Sequence, residues 1–184
     1  SENGNTPQPQ PTPEPEVTSG GLYTNKEYGF TLEYPKEWAG VRMVEELGTN
    51  PNDPLEKVLH FQAKRTESED FVVEGSPVGE LFYFAVFRNP QSLPLLEWLK
   101  AHEDRFNGGP EDPITLGYRK VKISSTVDGI QIYALSEITH PYGAGKYFAN
   151  KDKVFIIHLL QDQSGWDNYR EIVDSIIKSL RFPE

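Results

Sequence analysis

The chain has 184 residues, 28 acidic against 18 basic, a formal charge of −10, no cysteine and one methionine. No apolar run approaches the roughly 20 residues of a membrane-spanning helix, and without cysteine there is no disulfide framework, thiol nucleophile or Cys-ligated metal. An acidic balance with no basic block argues against nucleic acid and opposes unaided attachment to anionic lipid.

Residues 1–21 differ in composition from the rest. Pro7, Pro9, Pro11, Pro13 and Pro15 alternate with Gln, Thr and Glu, and Val17 is the only large apolar residue. Proline fixes φ and donates no hydrogen bond, so the run favours an extended polyproline II spacer. It ends in Ser19-Gly20-Gly21, expected as a flexible joint. Three uses are open: a leash, ordinary terminal disorder, or a docking peptide for a polyproline-binding partner. The composition fits an exported lipoprotein whose signal peptide and lipidated cysteine have been removed.

Residues 22–184 are a usual size for one domain. Phe30, Leu32 and Tyr34 alternate with Thr31 and Glu33, and Pro35 ends that strand. Strands are also expected at Val41–Val44 and Lys57–Ala63. Leu81–Phe87 is almost all apolar, as in a central strand buried on both faces. A helix is expected over 93–106, capped by Ser92 or Leu93, with Pro94 in its first turn. Arg119–Ser124 alternates, and Asp128-Gly129 turns the chain into Ile130–Leu135. Tyr147–Ala149 turns at Asn150-Lys151-Asp152 into Val154–Leu160, so residues 118–161 read as a meander. Trp166, Tyr169, Val173, Ile176, Ile177 and Leu180 form the stripe of an amphipathic helix starting near Ser164. Meandering strands with helices at separated points indicate α+β, with a central antiparallel β-sheet flanked by helices.

The run Tyr23-Thr24-Asn25-Lys26-Glu27-Tyr28-Gly29-Phe30-Thr31-Leu32-Glu33-Tyr34-Pro35-Lys36-Glu37-Trp38 resembles the opening of PsbP-like domains, with a Gly-Phe strand and a Tyr-Pro-x-x-Trp turn. The close is similar too, a strand like Lys153–Leu160, a helix like Trp166–Leu180 and then Ser179-Leu180-Arg181-Phe182. The resemblance covers nearly the whole body. It implies an α/β/α sandwich of the Mog1/PsbP type and no shared catalytic residues. The Pro-rich leader is most similar to that of bacterial lipoproteins of the group. The leader passes straight into the body, with no obvious counterpart of the photosystem subunit's N-terminal extension, which argues against an oxygen-evolving role. Independently of any family, Trp38 is expected to fold back over the core as a packing anchor.

Reaction motifs are sparse. There is no Gly-x-Ser-x-Gly elbow. Gly143-Ala144-Gly145-Lys146 lacks the upstream glycine of a phosphate loop, where His140 stands, and Tyr147 replaces its Ser or Thr. His60, His102, His140 and His158 form no His-x-His or His-x₃-His pair. Glu67, Glu69, Asp70 and Glu74 lack calcium-loop spacing, as does 162–171. The loop His140-Pro141-Tyr142-Gly143-Ala144-Gly145 sets an aromatic among glycines, so His140 and Tyr142 are candidate partner contacts, with packing of Tyr142 on the sheet edge as the structural alternative.

The expectation is a non-enzymatic, extracytoplasmic protein-binding or assembly module. It has no catalytic, cofactor or metal residues, is a monomer, and meets the membrane through a removed N-terminal lipid anchor. The alternatives are a small-ligand or cation-binding domain and a hydrolase with an unrecognised site.

Overall fold

The structure is a computed structural model that describes residues 18–64, 80–102, 121–135, 146–159 and 169–183. Among these residues it holds nine strands and two helices. The strands are β1 (Leu22–Asn25), β2 (Phe30–Glu33), β3 (Gly40–Leu47), β4 (Leu55–Lys64), β5 (Glu80–Arg88), β6 (Val121–Val127), β7 (Ile130–Leu135), β8 (Lys146–Asn150) and β9 (Lys153–Leu159). The helices are α1 (Leu95–Ala101) and α2 (Tyr169–Lys178).

Seven strands form one sheet in the order β3-β4-β5-β9-β8-β7-β6, and every neighbouring pair is antiparallel. The expected meander is its β6–β9 half. Its tight turns have the required chemistry. Asp128 and Gly129 both take positive φ between β6 and β7, and Lys151 does so between β8 and β9. β1 and β2 make a separate hairpin. Alternation did not reveal β1, because its outward residues Leu22 and Thr24 do not contrast in polarity with inward Tyr23 and Asn25.

The side-chain period of two divides the sheet into two apolar faces. The first carries Leu59, Phe61, Phe82, Phe84, Phe155, Ile157, Phe148 and Ile132, covered by the β1–β2 hairpin and by Val173, Ile176 and Ile177 of α2. Aromatic packing dominates: Phe61 stacks on Phe82 at 4.7 Å, Phe148 on Phe155 at 4.9 Å, and Phe30 tilts on Phe84 at 5.3 Å. The second face carries Ala85, Phe87, Tyr147, Val154 and Ile156 beneath Leu95, Trp98 and Leu99 of α1. Helices on opposite faces make the molecule an α/β/α sandwich.

The Tyr-Pro-x-x-Trp turn acts as the sequence suggests. Pro35 ends β2, its carbonyl accepts the Trp38 N–H at 3.1 Å, and the Trp38 ring, 7% exposed, stacks on Tyr34 at 6.1 Å. Residues 1–17 of the expected linker lie outside the described residues. Thr18–Gly21 are described and held by the body: the Tyr34 N–H donates to Gly21 O and the Tyr34 hydroxyl to Thr18 O. Gly21 has φ +86, and a Cβ there would stand 2.6 Å from Lys36 Cγ.

The start of α1 differs from expectation. Pro94 is the N-cap and makes no side-chain cap bond, and Ser92 sits at φ +50 within a turn. Asn89 organises that turn instead. Residues 103–106 and 164–168, expected as helix, lie outside the described residues.

Candidate functional site

The second sheet face ends in a cleft, and Asn89 builds one wall. Asn89 follows β5 and is 1% exposed. Its backbone N–H donates to Asp152 O at 2.7 Å, and its carbonyl accepts from Ser92 N at 2.8 Å. Its side-chain amide closes a ring on Leu93, with Oδ1 accepting from Leu93 N and Nδ2 donating to Leu93 O, both at 2.9 Å. Donors and acceptors are thus paired where water is excluded. The turn delivers the chain to Pro94, whose fixed φ opens α1.

α1 is then sealed to the end of β5. The Trp98 indole N–H donates to Arg88 O at 3.1 Å, and its ring tilts against Phe87 at 5.3 Å. The His102 ring stacks on Trp98 at 4.3 Å. His102 Nδ1 lies 2.8 Å from Trp98 O. A carbonyl oxygen only accepts, so Nδ1 carries the proton and Nε2 is the acceptor of the neutral ring.

The opposite wall is the β3–β4 loop. Asp53 N–H donates to Asn50 O, Asn52 N–H to Asn50 Oδ1 and Leu55 N–H to Asp53 Oδ1. Arg88 clips this loop to β5: Nη2 donates to Asp53 O at 2.6 Å and to Pro51 O at 3.4 Å, and its backbone N–H donates to Pro54 O. The open cleft between the walls has a volume of about 550 Å³. Pro54, Pro90, Leu93 and Ala101 give it apolar surface, and Asn52, Gln91, Arg88 and His102 give it polar groups. No Ser, Thr, Cys or Lys lines it among the described residues. The chemistry on offer is apolar contact with a few directional hydrogen bonds.

No family model matches the chain, and no curated protein does either. Two solved structures resemble it. One is a Bacteroides thetaiotaomicron protein, 11% identical, with a TM-score of 0.43 over 91% of this chain and 50% of that one. This chain therefore spans half the length of that protein. The other is the solution structure of cyanobacterial PsbP (CyanoP) from Synechocystis, 12% identical, with a TM-score of 0.45 over 90% of this chain and 95% of that one.

The residues singled out in the sequence are dispersed. His140 and Tyr142 lie outside the described residues, as do Glu67, Glu69, Asp70 and Glu74. His60 and His158 stand on β4 and β9 with Tyr83 of β5 between them. His60 and Tyr83 are 5.7 Å apart, and Tyr83 stacks on His158 at 4.6 Å. Glu46 lies 3.5 Å from His60 Nε2. The two imidazoles are thus separated by a whole strand, and His102 sits in the cleft. Among the described residues, no three His, Asp or Glu side chains gather as metal ligands. Arg88, Asn89 and the β3–β4 loop escaped sequence reading because they are distant in the chain. The Asn89-Pro90 dipeptide after an apolar strand is the local signal that marks their turn.

Proposed function

We propose that the chain is a non-enzymatic PsbP-like module that binds a protein partner at the cleft between the β3–β4 loop and α1. One observation carries the reading: Arg88, Trp98 and His102 are fixed by hydrogen bonds and stacking around an open, mixed apolar and polar cavity. Preorganised side chains favour recognition, because little ordering entropy remains to oppose binding. The Tyr-Pro-x-x-Trp turn and the α/β/α layering support the PsbP-like reading. The proline-rich acidic leader supports an extracytoplasmic setting, with the module tethered by an N-terminal lipid.

Ala101, exposed at the cleft rim, gives the test. Ala101→Trp should plug the cavity and leave the core intact. Cross-linking in the native envelope should recover a specific partner with the wild-type chain and lose it with the plugged one at equal thermal midpoint. Identical cross-links from both chains would refute the site. Incorporation of labelled fatty acid into the cellular precursor tests the tether separately.

The cavity volume also favours a second reading, a small polar ligand as occupant. A metabolite-dependent rise in melting temperature that Ala101→Trp abolishes would select it.

A further inference from the structure

The fold uses only part of the Arg88 guanidinium. Nη2 donates to Asp53 O and Pro51 O, which ties the β3–β4 loop to β5. The Nε and Nη1 hydrogens meet no acceptor among the described residues. No ion pair among those residues includes Arg88, whereas Lys57 and Lys153 each hold carboxylates. Asp53, the acidic residue of the opposite wall, turns Oδ1 to its own loop, where it accepts the Leu55 N–H at 2.7 Å. A full positive charge with unused donors therefore lines the cleft.

The main chain of the two loops offers a ligand almost nothing. Asn52, Asp53, Arg88, Asn89 and Leu93 each donate their backbone N–H within the fold. Pro51, Pro54 and Pro90 have no N–H to give. Gln91 is the residue of these loops whose N–H has no acceptor among the described residues. Docking by strand addition needs a row of main-chain partners, so a peptide cannot be held that way here. The polar part of the ligand must instead be compact and accept hydrogen bonds, with apolar surface beside it for Pro54, Pro90, Leu93 and Ala101. A carboxylate next to an apolar side chain has that chemistry. The net charge of −10 narrows the source. An acidic tract is repelled by the molecule as a whole, while a single carboxylate at the end of an uncharged segment meets the least repulsion.

We propose that the cleft takes the C-terminus of a partner chain. The terminal carboxylate sits on the free donors of Arg88 and on the Gln91 N–H, and an apolar last side chain rests against Pro54, Pro90 and Leu93. This rests on the cleft being the partner site and adds what the partner presents there. Hydrogen bonds between guanidinium and carboxylate are charge-assisted and strong. The two carbonyls on Nη2 already hold the guanidinium in place, so little ordering remains for the partner to impose.

The Trp98 indole N–H, bonded to Arg88 O, and the Ala101 amide serve as NMR reporters of the cleft. Three probes are titrated into the full chain: acetyl-prolyl-leucine with its free carboxylate, the amide of that dipeptide, and acetyl-glutamyl-leucine amide, whose only carboxylate is on a side chain. The free acid should shift both signals saturably and bind at least about tenfold more tightly than either amide. Arg88→Gln should lower the affinity of the acid to that of its amide. Arg88 also holds the loop, so the comparison of acid with amide on the wild-type chain decides the matter by itself. Equal affinity of acid and amide overturns the proposal, and so does the lack of a saturable shift with the acid. Binding of the glutamyl probe as tight as that of the acid overturns it as well, because a terminus is then not what the site selects. The cleft reading itself fails on a different result, a partner cross-link that survives Ala101→Trp. A cross-link lost in Ala101→Trp, with acid and amide indistinguishable, keeps the cleft as the partner site and removes the carboxylate from it.

Discussion

Two residues carry more of the architecture than their size suggests. Trp38 closes the turn after β2 by stacking on Tyr34, whose hydroxyl reaches back to Thr18. Removing a buried indole forfeits its transfer energy and leaves a cavity. Trp38→Ala should therefore cost about 3–5 kcal/mol, seen as a lower urea midpoint at unchanged slope. An unchanged midpoint would show that Trp38 is no anchor. Asn89 works by hydrogen bonding instead. Asn89→Ala strands the Leu93 N–H and C=O in a part-buried turn, at about 1–3 kcal/mol for buried polar groups left unpaired. Asn89→Asp keeps the acceptor for Leu93 N–H and loses the donor to Leu93 O. It should fall between wild type and alanine in chemical denaturation. Equal losses in the two variants would mean that the acceptor contributes nothing.

At the scale of elements, α2 is fastened to the hairpin by Ser179. Its hydroxyl accepts the Glu33 N–H at 2.8 Å and lies 2.5 Å from Ile176 O and 3.2 Å from Glu33 O. One hydroxyl hydrogen serves one carbonyl at a time, so the group ties the end of α2 to β2 while closing its last turn. The Thr31–Arg181 bridge continues the seam. Ser179→Ala should destabilise by about 1 kcal/mol and raise exchange at the Glu33 amide selectively. Uniform change across the sheet would argue against a local clamp. The strands of the main sheet were legible because Val, Ile, Phe and Tyr alternate or run together between turn residues, and α2 because its apolar positions recur at helical steps. The β1–β2 hairpin was half hidden, since the polar Asn25 lies buried in β1. The start of α1 was misjudged because a serine before Leu-Pro-Leu-Leu has cap chemistry, while Asn89 claimed the turn by bonding Leu93, four residues on. The cleft was illegible in principle. Its walls come from 51–54, 88–93 and 98–102, which only the sheet's strand order brings together.

The whole molecule is acidic, yet its buried-edge cations are held by that acidity. Lys57 contacts Glu27 and Glu45, and Lys153 contacts Glu56 and Asp152. Burial alone would lower both lysine pKa values, but hydrogen bonds and charge from these carboxylates outweigh it and raise both above the ordinary 10.5. Tyr28 joins the two groups: its hydroxyl donates to Glu56 Oε1 at 3.2 Å, and its ring lies 5.8 Å from Lys57 Nζ. Burial first, then the charges of Glu56 and Glu27, push its pKa well above the ordinary 10.0. All three shifts act in one direction. A group that holds its proton more tightly when folded lends stability that is complete below its unfolded pKa and drains as pH rises through the folded one. The unfolded chain sheds these protons first, so stability should decline from about pH 10 upward. Tyr28→Phe keeps the ring against Phe155 and removes the titrating hydroxyl. It should flatten that alkaline decline in denaturant titrations at stepped pH, and Lys57→Met should flatten it too, at some loss of stability near neutrality. A wild-type profile level to pH 11, or a decline as steep in both variants, would place the alkaline sensitivity elsewhere in the molecule.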